Sequence, residues 1–155
     1  MKKIYVVFTI ILLISCQPKK TQIENLKSAF TLLLKENASE EEVEKFYKFP
    51  FFNESKIYEN PKELLEWRER RKTFIKEWIK IDNIEIIDSY TFTGVEKEHF
   101  KENKRYKDLK RILNLNKENS KILEVVYNKK RYLENGSSIL VLYDTNSNKI
   151  FGFKN

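Results

Sequence analysis

The sequence predicts an α+β domain in which N-terminal helices pack on a curved antiparallel sheet. Between residues 22 and 36, apolar residues recur at spacings of three and four, as in an amphipathic helix. Two further segments begin with helix-capping residues. From Ile84 onward, and again over residues 121–153, apolar and polar residues alternate, which indicates strands. Helices followed by a meander of strands are typical of the α+β class.

The composition predicts one folded domain and disfavours several functions. The chain has 155 residues, of which 41% are hydrophobic and 14% aromatic, enough for a packed core. Its net charge is +7, but lysines and arginines are interleaved with glutamates, which disfavours nucleic-acid binding. With His99 as the single histidine and no glycine-rich phosphate loop, we expect no metal and no other cofactor.

The first sixteen residues have the pattern of a bacterial secretory leader. Lys2 and Lys3 precede an apolar run over residues 4–14, which is too short to span a bilayer. The segment Leu13-Ile14-Ser15-Cys16 resembles the lipobox of bacterial lipoproteins. The resemblance implies cleavage before Cys16 and attachment of diacylglycerol and a fatty acid such as palmitate to that residue, and two or three acyl chains anchor a protein stably.

This interpretation divides the chain into a signal peptide (1–15), a lipidated cysteine with a short tether (16–21) and one α+β domain (22–155). It places the domain in the bacterial cell envelope, bound to a membrane through lipid at Cys16. Gln17, where an aspartate would signal inner-membrane retention, favours the outer membrane. The alternatives are a buried cysteine beside a cleaved signal, or an uncleaved amphipathic anchor. With one cysteine, the mature domain has neither an internal disulfide nor a thiolate metal site.

Local signals define the helices of the first half. A helix is expected over residues 22–36. Ser39 and Glu42 form a capping box that begins a second, short helix. The segment KFPFFN that follows predicts a short strand or a packed arm. Asn60 and Pro61 then begin a third helix, which extends to about Lys80.

The second half is predicted to be mostly strand. Residues 95–119 are rich in lysine and indicate one or two short helices. Residues 121–153 predict three strands, with a hairpin turn at Asn135-Gly136 and a polar turn at residues 144–148. Before them, the alternation predicts a strand with one face made of Ile84, Ile86, Asp88, Tyr90 and Phe92.

The order of these elements resembles the cystatin-like cone fold, the superfamily of nuclear transport factor two, ketosteroid isomerase and SnoaL-like cyclases. The resemblance rests on two helices, the FPF strand, the helix begun by Asn60-Pro61, and the final strand Lys149-Ile150-Phe151-Gly152-Phe153. The lysine-rich stretch departs from the simplest members, which have strands there. The resemblance implies a pocket between the helices and the concave sheet, but no single activity.

Five residues are candidates for the polar part of such a pocket. Trp67, Arg68 and Arg71 fall on the helix arc that carries the apolar residues, so two guanidinium groups are expected to face the sheet. Asp88 and Tyr90 lie on the apolar-looking face of their strand. Either the charged residues form a partly buried Arg–Asp pair, or the five side chains bind a small ligand with an acidic group.

We therefore expect a non-catalytic envelope lipoprotein that binds a small ligand or another envelope protein. One alternative is a small isomerase- or cyclase-like enzyme with Asp88 as the general base. Two neighbouring arginines would make that carboxylate a poor proton acceptor, and the second acid of such isomerases has no identifiable match. Another alternative is an interaction or immunity-type protein that uses its sheet face.

Overall fold

The structure is a computed structural model that describes residues 20–53, 56–91, 106–116 and 119–154. The leader, Cys16, Phe92 and His99 lie outside the described residues, as do residues 95–105 of the lysine-rich stretch. In chain order, the described elements are α1 (20–34), α2 (Glu40–Phe46), β1 (Tyr47–Asn53), β2 (Lys56–Tyr58), α3 (Pro61–Trp78), a 3₁₀ turn (Ile81–Asn83), β3 (Glu85–Thr91), α4 (Tyr106–Leu115), β4 (Ser120–Val126), α5 (Lys129–Asn135), β5 (Ile139–Asp144) and β6 (Lys149–Lys154).

The strands form one open sheet in the order β2-β1-β6-β5-β4-β3. The pairings are antiparallel except that of β1 with β6, which is parallel. The α+β class is therefore confirmed, whereas the expectation of a purely antiparallel sheet is wrong at this pair. Parallel pairing needs a long connection, which the many residues between β1 and β6 provide.

The sheet buries apolar side chains on both faces. Helices α1, α2 and α3 cover the larger core, to which Leu123 of β4 belongs. Its neighbour Ile122 points to the opposite face, as alternation along a strand requires. There a smaller core consists of Phe52, Leu109, Ile112, Leu113, Ile122, Leu142 and Phe151. Leu109, Ile112 and Leu113 belong to α4, so this helix covers the second face of the sheet.

Both predicted helix starts are confirmed in atomic detail. The Ser39 hydroxyl accepts from the Glu42 backbone N–H at 3.2 Å, and the Glu42 carboxylate accepts from the Ser39 N–H at 3.0 Å. Asn60 accepts from the backbone N–H of Glu63 at 3.1 Å, with Pro61 as the first helical residue. These caps satisfy donors that would otherwise lack an intrahelical partner.

The predicted hairpin turn at Asn135-Gly136 is wrong, because α5 lies between β4 and β5. Asn128 caps this helix by accepting from the backbone N–H of Arg131 at 3.3 Å. Gly136 ends it with a left-handed backbone, φ 71°. Asn-Gly suits a tight hairpin and a helix C-terminus equally, since both require a left-handed residue. Strands β4 and β5 still pair antiparallel on either side of the helix.

A bulge in β3 changes the face on which Asp88 lies. Between Ile86 and Asp88 the register advances by two residues on β3 but by one on β4, so Ile87 is an extra residue. Because side chains alternate, Asp88 and Tyr90 move to the face opposite Ile86. The expectation that these residues share one face is therefore wrong.

Gly152 allows β1 and β6 to approach closely at the centre of the sheet. A Cβ atom at this position would lie 2.8 Å from the Phe52 carbonyl oxygen and 2.7 Å from Cδ1 of Leu142. No side chain fits there without moving the neighbouring strand. The glycine thus fixes the position of the next residue, Phe153, which reaches the larger core.

Asp144 connects the turn between β5 and β6 to β1. Its buried carboxylate pairs with Lys48 and accepts from the backbone N–H groups of Asn146 at 2.9 Å and Ser147 at 3.2 Å. Burial disfavours the charged form, but these partners together outweigh it, so the pKa of Asp144 is lowered. The polar turn expected at residues 144–148 is confirmed.

We predict that Asp144→Asn lowers the free energy of unfolding by about 1–3 kcal/mol at pH 7, because Lys48 and the turn lose a charged acceptor. A carboxyl group with a lowered folded-state pKa contributes stability above its unfolded value and loses it as pH falls through the folded value. The difference between variant and wild type should therefore shrink below pH 3.8. Urea unfolding followed by circular dichroism measures it. Exposed Asp82→Asn is the control, and a pH-independent difference would contradict the assignment.

Candidate functional site

A cavity lies between α1, α3 and the sheet, on the side of the larger core. Its volume is about 90 Å³, and apart from the Asn53 amide every lining side chain is aliphatic or aromatic. Pockets that enclose drug-sized ligands measure roughly 300–1,000 Å³. This cavity would enclose only part of such a ligand. It is lined by Phe30, Leu33, Asn53, Trp67, Phe74, Ile75, Trp78, Ile79, Tyr127, Ile139 and Phe153.

Phe153 forms the floor of the cavity. Its ring stacks on Phe30 of α1 with centroids 5.4 Å apart, and meets Phe51 of β1 edge-on at 5.1 Å. Tyr47 packs edge-on against Phe153 and donates its hydroxyl to the carbonyl of Ala29 at 2.7 Å. Burial raises the pKa of Tyr47 well above its usual value, so the phenol stays a neutral donor. The Phe30–Phe153 stack and the hydrogen bond from Tyr47 to Ala29 thus hold α1 against the sheet.

An aromatic rim of Phe74, Trp78 and Tyr127 forms one side of the cavity. The ring centroid of Trp78 lies 4.5 Å from that of Phe74 and 6.1 Å from that of Tyr127. Phe74 is 44% exposed, so the rim is open to solvent at this residue, whereas Tyr127 is buried. The guanidinium of Arg131 lies over the Trp78 ring, 4.2 Å from its centroid. The rim therefore combines aromatic faces with a positive charge.

Arg68 is buried, at 4% exposure, but its guanidinium hydrogen-bonds to the backbone at the end of α1 and does not line the cavity. It donates to the carbonyl of Lys35 at 2.7 Å and to that of Glu36 at 3.1 Å, and its guanidinium also contacts Glu69. Carbonyls at a helix C-terminus lack intrahelical partners, and a guanidinium satisfies them well. The sequence pattern correctly places Arg68 on the buried arc, but its contacts are structural.

The other charged candidates do not meet in the cavity. Arg71 is exposed on α3, and Asp88 is exposed on the opposite face of the sheet. Tyr90, also on that face, donates to Glu124 at 3.0 Å, and hydrogen bonding to Asp88 and Glu124 raises the pKa of Tyr90 to about 12. The expected Arg–Asp pair is therefore wrong, because the bulge redirects Asp88. Of the five candidates, Trp67 lines the cavity.

Most residues that line the cavity are missing from the sequence-based candidates, and among them Asn53 and Tyr127 carry polar groups; Arg131 at the rim is missing as well. Recognising Asn128 as a helix N-cap would place Tyr127 before the helix and Arg131 in its first turn, so that signal is present in the sequence. Nothing local marks Asn53, which ends β1. Its place in the cavity wall depends on how the sheet packs against α3.

The side chains that line the cleft, meaning the cavity with its aromatic rim, are aliphatic or aromatic apart from the Asn53 amide. Among the described residues that line it, none carries a carboxylate, an imidazole or a thiol. In the part of the chain that the structure describes, no three His, Cys, Asp or Glu side chains are grouped to hold a metal ion. Within the same ranges, no helix is both long and apolar enough to cross a membrane.

Comparisons of the chain with protein-family models, with curated proteins and with solved structures give no match. The role of the cleft is therefore inferred from its geometry. Its distinctive features are an apolar interior, an open aromatic rim and one cation at that rim.

We predict that Arg68→Met lowers the free energy of unfolding by about 2–3 kcal/mol, because methionine fills the space of the stem but leaves the carbonyls of Lys35 and Glu36, which directly follow α1, without a charged donor. Arg71→Met is the matched control and should leave stability nearly unchanged, since Arg71 is exposed. Urea unfolding of both variants measures the difference. Equal losses from the two substitutions would contradict the capping role.

Proposed function

We propose that this chain is a lipid-anchored envelope protein whose cone-fold domain binds a small, largely apolar ligand in the cleft. The observation that carries the proposal is the cavity itself, which lies between helices and sheet and is lined by both tryptophans of the chain. Apolar cavities with few polar groups are the usual form of small-molecule sites. The anchor at Cys16 and the envelope location rest on the leader pattern.

The cone fold is part of this proposal and is supported by the topology. Along the chain α3 follows β2 and precedes β3, in the sheet β1 runs beside β6, and the cavity lies between the sheet and helices α1 and α3. Helix α4 on the second face and α5 between β4 and β5 would be additions to the simplest form of that fold.

The geometry gives less support to the two alternatives. An isomerase with Asp88 as base would need that carboxylate in the cleft, whereas Asp88 is exposed on the other face. An interaction protein that uses its sheet face would need that face open, whereas α4 packs over Ile122, Leu142 and Phe151. Binding in the cleft requires neither.

We predict that cells given labelled palmitate incorporate it into the wild-type chain and not into a Cys16→Ser variant, because the thiol is the attachment point. Gel fluorography of the immunoprecipitated protein measures the label. Ser15→Ala keeps a small residue before the cysteine and should still be labelled. Label in Cys16→Ser would show that the anchor assignment is wrong.

We predict that native mass spectrometry of the protein from envelope extract shows a reproducible mass adduct beyond the lipidated chain. Ile139→Phe should remove the adduct, because a larger ring would fill the cavity that Ile139 lines. Ile87→Phe is the control, since Ile87 is partly exposed and away from the cavity. Circular dichroism verifies that both variants fold. No adduct on the wild type, or one that persists in Ile139→Phe, would contradict binding in the cleft.

A further inference from the structure

Arg131 places its guanidinium over the ring of Trp78, at the aromatic rim of the cleft. The carbonyl oxygen of the Asn128 side chain accepts from the Arg131 backbone N–H at 3.3 Å. The amide nitrogen of the same side chain donates to the Trp78 carbonyl at 3.3 Å. One side chain therefore ties the first turn of α5 to the end of α3, where Trp78 stacks under the guanidinium. Asn128 thus joins the backbone segments that carry the two stacked side chains.

The charge of Arg131 is not neutralised by a neighbouring acid in the part of the chain that the structure describes. Lys130, the adjacent residue, lies 3.9 Å from Glu134, but no described Asp or Glu pairs with Arg131. Stacking uses the flat face of a guanidinium and leaves the N–H donors in its plane available. These N–H groups can donate hydrogen bonds to a ligand without breaking the contact with Trp78.

The charge of Arg131 also reaches the cavity wall. Burial raises the pKa of Tyr127, and the positive charge of Arg131 acts in the opposite direction. Tyr127 lines the cavity, so this positive charge lies near the space that a ligand would occupy. An anionic group at the mouth would be attracted, whereas a cationic one would be repelled.

We propose that the ligand of the cleft is a small organic acid, whose carboxylate binds Arg131 while its aryl ring or short alkyl chain enters the cavity. This inference rests on the proposed function and specifies its ligand class. A cavity of about 90 Å³ limits the buried body to a small group. The carboxylate remains at the solvent-facing rim, so it keeps part of its hydration, and the planar guanidinium can bind both of its oxygens.

Two isosteric pairs of probes test the inference: phenylacetate with phenylacetamide, and hexanoate with hexanamide. Each pair exchanges a carboxylate for a neutral amide of the same shape. The full-length lipidated protein is titrated in neutral maltoside micelles, and its fluorescence reports binding directly because both tryptophans line the cavity. Each acid should bind roughly fivefold to tenfold more tightly than its amide.

Arg131→Gln should weaken binding of the acids roughly fivefold and leave binding of the amides unchanged. Lys130→Gln removes an equal charge from the adjacent residue, whose side chain is 84% exposed. This control should change the affinity neither for the acids nor for the amides. Unchanged amide binding by Arg131→Gln also verifies that the cavity remains intact.

Equal binding of acid and amide by the wild type would overturn the inference, as would an equal loss from Lys130→Gln. One further outcome separates the two proposals. If none of the four probes binds while native mass spectrometry still shows an adduct that Ile139→Phe removes, the assignment of the ligand as an organic acid fails and the proposed function stands. If neither probe binds and no adduct is found, both fail.

Discussion

The packing of Phe153 joins the helical layer to the sheet and at the same time forms the floor of the cleft. Its ring contacts Phe30 of α1 and Phe51 of β1, so one side chain connects the first helix to two neighbouring strands. Aromatic pairs in these stacked and edge-on geometries contribute beyond the area they bury. Gly152, directly before it, lets β1 and β6 approach closely enough for the contact. Without this cluster, α1 would lose its aromatic contact with the sheet, and the cavity would lose the ring that closes it on the sheet side.

The bulge in β3 keeps the polar side chains of Asp88 and Tyr90 on the face of the sheet opposite the cleft. The extra residue in β3 directs Asp88 and Tyr90 to the outer face, where Tyr90 hydrogen-bonds to Glu124. The larger core on the inner face is then left with apolar and aromatic groups around the cavity. A site of this kind holds an apolar body well and orients it through groups at its mouth. This division leaves the cleft apolar inside, with the Arg131 guanidinium at its rim.

The sequence predicts what short-range interactions determine. Ser39 and Asn60 begin helices because their partners lie three residues away, and the α+β class follows from apolar spacing. The face of Asp88 was not predictable, because a bulge is defined by the pairing with another strand. Gly136 is ambiguous for a different reason, since its left-handed backbone suits a hairpin and a helix end alike. The shape of the cleft depends on such long-range packing. For this reason, of the five candidate residues predicted from the sequence, only Trp67 lines the cavity.

Diffraction from crystals of the protein held under xenon pressure would show whether a preformed apolar cavity lies between the helices and the sheet. Xenon binds apolar cavities without needing polar partners, so it reports the space itself rather than the chemistry of a ligand. We expect xenon between Phe30, Trp67 and Phe153, with the surrounding side chains unmoved. Side chains that fill this space, with xenon absent from it, would contradict the account.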